Sequence, residues 1–280
     1  YSTGGGFAYG VNGGNLDLKV ERTRDFETGI EFSLFKKRVS FDFTYYTRLS
    51  SDQIILPRLS YGTGYILKML NGGEVKNHGI EIQTMVRPIE KRDFNWDVTF
   101  NFTKNRGKVL SLAEELPELY ESDTWVLSGL RTSVHPGYSI GALSGTRFKR
   151  NANGDVLINT ATGLPVTGDG VYYPIGDRIP DFTLGTINKF RYKSISLSFL
   201  WDLRVGGDVF NGLENRMFNL GVSAKTLNRE QPRVIQGVLQ DGLEESANPT
   251  INNIAVTPFY NSNYYFTNVE PSMFIERDIY

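Results

Sequence analysis

The chain has 280 residues, 40% of them hydrophobic, 22% charged and 13% aromatic, with a formal net charge of −1 and no cysteine. That balance excludes wholesale disorder and a dedicated nucleic-acid binder. The missing thiols exclude disulfide frameworks, thiolate zinc sites and cysteine nucleophiles together.

No run of about eighteen apolar residues occurs, which excludes a membrane-crossing helix but not strands, which need only about 9–11 alternating residues each. The chain opens Tyr1-Ser2-Thr3 with neither an initiating Met nor an apolar leader core, so a fragment or a processed piece of something longer is expected. Residues 1–14 are Gly-rich and read as a loop.

A first hairpin is expected over about 17–50. Ile30, Phe32 and Leu34 alternate with Glu31 and Ser33, Lys36-Lys37-Arg38 turns, and Val39, Phe41, Phe43 and Tyr45 alternate with Ser40, Asp42, Thr44 and Tyr46. Period two is the direct signature of a ribbon with one greasy and one wet side. A long connection follows over about 50–77, carrying Pro57, Tyr61 and Tyr65.

The second hairpin, about 74–106, is the clearest. Ile80, Ile82, Thr84 and Val86 oppose Glu81, Gln83, Met85 and Arg87; after Glu90-Lys91-Arg92-Asp93, the residues Phe94, Trp96, Val98, Phe100 and Phe102 oppose Asn95, Asp97, Thr99, Asn101 and Thr103. Pro88, which has no N–H for a ladder, is expected to end the first strand. Residues 107–136 read as another long connection, with Glu114, Glu115, Glu118, Glu121 and Asp123 ahead of Trp125. A weakly alternating strand at 138–148 and a turn-rich stretch at 149–181 come next.

A third hairpin spans about 182–206, turning at Tyr192-Lys193. Its return strand sets Ile195, Leu197, Phe199, Trp201, Leu203 and Val205 against Ser196, Ser198, Asp202 and Arg204. Residues 206–263 are long and polar with a short helix expected at 211–221, and the tail from 264 starts a further strand.

Tight turns thus fall at one end of the hairpins and long connections at the other. The fold class is all-β, an antiparallel up-and-down meander with one bare rim and one elaborated rim. Transmembrane barrels carry this asymmetry. Aromatic residues near strand ends (Tyr45, Phe94, Trp96, Trp201) suit a membrane boundary. Alternation alone equally fits a soluble barrel or sandwich with the apolar face as its core; strands of about ten or more residues, against a usual ~5–6, favour the membrane.

Catalytic chemistry finds little support. The two histidines, His78 and His135, sit beside loop or turn residues and read as structural or solvated. Glu114/Glu115 and Glu244/Glu245 are adjacent pairs in polar loops and read as solvated rather than as an acid–base couple. Asn151 to Asp155 lacks the spaced carboxylates of a calcium loop. Gly4-Gly5-Gly6 lacks a phosphate-loop context. Gly137, Gly141 and Gly145 lack the apolar helix that such spacing needs. The sequon Asn101-Phe102-Thr103 lies within a strand. No enzyme activity, cofactor or metal is expected. For ligand binding, the loop rings Tyr61, Tyr65, Tyr120 and Trp125 are the candidates, since flat rings offer apolar contact at low entropic cost.

The segment NHGIEIQTMVRPIEKRDFNWDVTFNFTKNRGKVLSL, residues 77–112, resembles a recurrent stretch of the SusC/RagA family of TonB-dependent outer-membrane transporters. Asn77, Gly79, Glu81, Phe94, Trp96, Asn101, Thr103 and Asn105 fit that family's pattern. Residues 18–46, 136–145 and 175–211 add further matches. The resemblance implies part of a large antiparallel transmembrane β-barrel of 22 strands with a plugged lumen. The plug and terminal strands would lie outside this chain.

It also implies an outer-membrane location and active import of nutrient oligomers, glycans or peptides. The implied partners are TonB, reached through a segment not in this chain, and a SusD-like surface lipoprotein. In such a barrel Ile80, Ile82, Phe94, Trp96, Phe100, Phe102, Leu197, Phe199 and Trp201 would face lipid, and Glu81, Gln83, Asp97, Asn101, Asp202 and Arg204 the lumen. The alternatives are a structural or adhesive surface β-protein and a soluble β-rich hydrolase.

Overall fold

The computed structural model describes residues 12–58, 62, 66–113, 116–120, 129–256 and 269–279 of the chain. Seven strands form one antiparallel meander, each beside its sequence neighbour: β1 (Arg22–Leu34), β2 (Val39–Ser51), β3 (Glu74–Glu90), β4 (Phe94–Ser111), β5 (Phe182–Tyr192), β6 (Ile195–Phe210) and β7 (Ile275–Ile279). The first six run 11 to 18 residues, well beyond a typical strand of ~5–6.

Register makes the two faces continuous. Ile30, Phe43, Ile82, Phe102, Leu184 and Leu203 stand in one row across β1 to β6, and Phe32, Phe41, Thr84, Phe100, Thr186 and Trp201 form the row two residues away. The other face carries Glu31, Asp42, Gln83, Asn101, Gly185 and Asp202. The nine apolar and six polar residues singled out above therefore share one face each. On the apolar face the rings stack: Trp96 on Phe190 at 5.4 Å, Phe190 on Phe199 at 6.1 Å, and Phe102 against Phe182 at 5.4 Å. Asn188, a polar residue on this face, accepts a hydrogen bond from Trp96 Nε1 at 3.2 Å, so neither group is left open.

The three tight turns share one rim: Arg87 N donates to Arg38 O at 2.7 Å and Lys193 N to Asp93 O at 2.9 Å. The structure departs from the sequence reading at several points. Pro88 does not end its strand; β3 continues to Glu90, and the register slips between Val86 and Ile89. A bulge leaves one residue unpaired, so the missing N–H costs no ladder bond. β4 runs on to Ser111, so the connection expected from 107 begins later, and His78 lies inside β3, paired across to Thr47 and Arg106. Tyr45 and Trp201 fall mid-strand rather than near ends. The expected strand at 138–148 shrinks to Ala142–Gly145. The tail does find its partner, β7 pairing with β6.

The long connections build a separate layer on the opposite rim. A four-stranded antiparallel sheet runs in the order Tyr173–Asp177, Ala142–Gly145, Leu130–Val134, Leu119–Tyr120. Beside it Leu157–Ile158 pairs in parallel with Val238–Leu239. Helix α1 (Gly212–Asn219) starts where the Asn211 side chain caps Glu214 N at 2.9 Å, and it buries Phe218 against Val256 and Phe274. Buried hydrophobics concentrate in this layer, including Leu130, Val134, Leu143, Ile158 and Val238. Phe100 and Trp201 in the long sheet stay 39% and 71% exposed. The Phe/Trp/Ile face of the meander is thus uncovered by any layer among the described residues, the reverse of a sandwich core.

Candidate functional site

The segment that carried the family resemblance has a physical explanation on the polar face. Tyr46, Gly79 and Asn105 share a row, and a Cβ at Gly79 would come within 2.6 Å of both Tyr46 Oη and Lys104 O. Glycine is therefore the seat over which the Tyr46 ring lies. Asn77 likewise occupies the space above Gly107, where a Cβ would meet its Oδ1 at 2.5 Å. Glu81 faces a depression of about 520 Å³ shared with Asp25, Tyr46, Arg48, Asn77 and Asn105. Arg48 holds Asp25 through two bonds at 2.7 and 3.0 Å.

Farther along this face Gln83 Nε2 donates to Asn101 Oδ1 at 2.9 Å, and Arg87 Nε to Asp97 Oδ1 at 2.6 Å. The wall is not uniformly polar. Met85, Thr99, Ile187 and Leu200 form one row of it, which adjacent-residue alternation obscures because those apolar side chains sit on three different strands.

The second cluster fixes the rim layer to the sheet and escaped the sequence reading. Asp181 accepts Arg106 Nη2 at 2.6 Å and pairs with Arg277; Arg106 Nη1 also reaches Pro180 O at 2.7 Å. Hydrogen bonding from Arg277, reinforced by its charge and by Arg106, holds the Asp181 carboxyl below the usual carboxylate range. The space for it comes from Gly206 and Gly207, at φ of +73° and +90°, where a Cβ on Gly206 would sit 2.5 Å from Asp181 Oδ2. Asp208 Oδ2 accepts Asp177 N at 2.7 Å, and Arg204 Nη2, on the polar face with Glu81, reaches Arg178 O at 2.7 Å. The signal was present as GDRIPD and VGGD, but nothing local says that two such stretches meet.

Within the rim layer His135 is buried, not beside solvent. Its Nε2 lies 2.9 Å from Ser133 Oγ and 3.0 Å from Ser144 Oγ. Glu118 Oε2 stands 3.5 Å away, but Glu118 is paired with Arg131, whose guanidinium lies 3.6 Å over the Tyr172 ring. Burial first, and then the Arg131 charge, lower the His135 pKa, so the imidazole is neutral. Glu118, one of the acidic residues of the 107–136 connection, is thus drawn into this buried cluster. Glu244 and Glu245 are exposed or nearly so and brace the 151–155 turn: Glu245 accepts Ala152 N at 3.0 Å, and Glu244 O accepts Asn151 Nδ2 at 3.0 Å. Tyr61, Tyr65, Trp125, Glu114 and Glu115, together with the Tyr120 side chain, lie outside the described residues.

A broad antiparallel wall, apolar on one side and polar on the other, bare at one rim and built up at the other, is the geometry of a large β-barrel segment. The family model "TonB dependent receptor-like, beta-barrel" matches residues 1–225, and the chain belongs to this family. It is 29% identical over 216 residues to TonB-dependent receptor P3 of Formosa agariphila, covering 70% of this chain and 22% of that protein. It is 26% identical over 198 residues to TonB-dependent receptor SusC of Bacteroides thetaiotaomicron, covering 66% of this chain and 19% of that protein. Among solved structures the RagAB peptide importer in its closed-closed state superposes with a TM-score of 0.61 at 18% identity, over 95% of this chain and 28% of that one.

The chain spans about a fifth of the length of these curated relatives. The SusC/RagA resemblance read from residues 77–112 holds, and with it an outer-membrane location.

Proposed function

We propose that the chain forms part of the wall and outer rim of a barrel that imports nutrient oligomers, glycans or peptides, through the outer membrane. Energy arrives by TonB coupling through a segment not in this chain, and a SusD-like surface lipoprotein covers the long-loop rim. One observation carries this: six strands keep their apolar and polar rows in register, so a single sheet separates two media. The peptide class is favoured by the solved neighbour named a peptide importer, and the glycan class by the SusC/RagA resemblance read from the sequence.

In this arrangement Ile80, Ile82, Phe94, Trp96, Phe100, Phe102, Leu197, Phe199 and Trp201 face lipid. Glu81, Gln83, Asp97, Asn101, Asp202 and Arg204 line the lumen, where they contact cargo or the plug. The loop rings Tyr61, Tyr65, Tyr120 and Trp125 make first contact with cargo. From Phe94 to Phe102 the ring-bearing stretch of β4 covers roughly 27 Å at about 3.4 Å per residue, before Lys104 places a charge on the same face. At a strand tilt of about 40° that length rises roughly 21 Å, most of a lipid-facing band about 25 Å tall.

Uptake of labelled oligosaccharides and peptides by cells carrying or lacking the full-length protein, with and without an energised inner membrane, tests this. Energy-dependent uptake of one class that vanishes on deletion is expected. Uptake unchanged by deletion or by de-energising would remove the import assignment and leave a structural or adhesive role.

A further inference from the structure

The ring-bearing face ends differently at its two rims. Toward the tight turns it finishes on uncharged residues, Leu34, Val39, Ile89, Phe94, Tyr192 and Ile195. Toward the long connections it passes directly into cations: Arg24 and Arg22 on β1, Lys76 on β3, Lys104 and Lys108 on β4. All five are exposed, and none forms an ion pair among the described residues. Arg106, on the same face, is committed to Asp181. No acid shares their rows up to Lys76 and Lys108; Glu74 comes only past the register shift in β3. The acids of this stretch, Asp25, Glu27 and Glu81, stand on the polar face and leave the belt uncompensated.

The border of the belt follows the line along which a bilayer surface cuts a tilted sheet. In β4 the first charge on this face is Lys104; in β1 it is Arg24, whose row reaches β4 at Lys108, four residues farther up. The apolar band shifts equally at its other end, where the row of Leu34 reaches β4 at Val98, four residues above Phe94. Four residues span about 14 Å along a strand, and the three strand spacings from β1 to β4 also come to about 14 Å, a slant of roughly 45°. Spanning strands tilt by about 35–45°, so the cations begin at one level above a band of constant height.

Two members of the belt oppose each other. Lys76 pairs directly with Lys108, and Arg24 stands in the same row beyond Leu49. Side chains so placed have Cβ atoms about 4.5–5.5 Å apart, where like charges are destabilising. An anion held between the two ammonium groups turns that repulsion into attraction, and at a membrane boundary lipid headgroups supply one.

We propose that this belt binds the phosphate headgroup of an anionic lipid in the outer leaflet, one phosphate bridging Lys76 and Lys108 while the acyl chains lie along the Phe/Trp face. The proposal rests on that face meeting lipid and on the long-loop rim being the outer one.

Competition binding on the full-length protein in neutral detergent tests it. The probes are dioleoyl phosphatidic acid, dioleoyl phosphatidylcholine and inorganic phosphate, with native mass spectrometry counting the lipid retained. Phosphatidic acid should bind about tenfold tighter or more than phosphatidylcholine, less so as salt is raised, and equimolar inorganic phosphate should not displace it. Lys76→Gln/Lys108→Gln should lose most of that preference. Lys189→Gln/Arg191→Gln, which removes the same charge from the polar face, should keep it. The single variant Lys108→Gln gives a second reading through the unfolding midpoint, followed by heat-modifiable migration. That midpoint should rise in neutral detergent, where the opposition to Lys76 is relieved, and fall below wild type once phosphatidic acid is present.

Equal binding of the two lipids, displacement by inorganic phosphate, a preference kept in Lys76→Gln/Lys108→Gln or lost equally in the polar-face variant, or a Lys108→Gln midpoint that shifts the same way in both media would each overturn the assignment. A missing preference while Phe100→Arg still blocks insertion removes the belt alone. Equal tolerance of Phe100→Arg and Asn101→Arg removes the lipid-facing side, and the import wall with it.

Discussion

Phe100 and Asn101 are neighbours in β4 that look out from opposite sides of the sheet. Phe100 stands in the ring-bearing row with Phe41 and Trp201, and Asn101 accepts a bond from Gln83. If the ring side meets hydrocarbon, Phe100→Arg costs roughly 2–4 kcal/mol near the bilayer midplane, whereas Asn101→Arg is close to silent for insertion. Folding titrations into lipid vesicles measure both, and equal tolerance at the two positions would reverse the assignment of the faces. This much was legible from the sequence, because a strand's side-chain period is a local property. Pro88 was misread for the complementary reason: whether a proline ends a strand or sits in a bulge depends on the partner strand, which lies beyond any local window.

At the level of elements, the rim sheet owes part of its stability to an uncharged imidazole. His135 is enclosed by Ser133 and Ser144, with Arg131, Glu118 and Tyr138 facing it from the sheet and the loops around it. Its folded pKa is lowered, so below the unfolded value of about 6.5 the unfolded chain binds more protons than the folded one. The His135 contribution is therefore full above that pH and declines as pH falls through 6.5 toward the lower folded value. Hydrogen exchange of the 130–145 amides, which slows intrinsically as pH falls, should slow less between pH 7.5 and 5.5 than the intrinsic chemistry dictates, and His135→Gln should abolish that excess. An excess of unchanged size in that variant would place the sensitivity elsewhere. Of this layer, alternation showed only a weak strand at 138–148, which the structure shortens to Ala142–Gly145. Its strands are 2 to 5 residues long, too short to show a period, and Leu157–Ile158 is buried by Val238–Leu239 from a distant connection.

At the scale of the whole molecule, the seven strands of the sheet among the described residues do not close. β1 and β7 are the outer members of the sheet, and each carries a row of backbone groups turned away from its single neighbour. Hydrocarbon does not tolerate open edges, and about eight strands is the smallest barrel that closes. Further strands from outside the described residues must flank these two. The outward amides of Arg22–Leu34 in the membrane-embedded full-length protein should accordingly exchange as slowly as the inward ones, read by hydrogen exchange with fragment separation. Free exchange at alternate positions of β1 would mean that the wall ends there.

The clamp around Asp181 bears on how such a protein can change. The rim layer is joined to the sheet through β4, β5, β6 and β7, and near their ends a small set of groups concentrates the connection: Arg106, Arg277, Asp208 and the Gly206-Gly207 kink. A headpiece mounted on so narrow a fitting can be recut, even wholesale, while the stem beneath keeps its pitch. Selectivity and insertion thereby become separately adjustable, with the few residues of the mount as the part that both must leave alone.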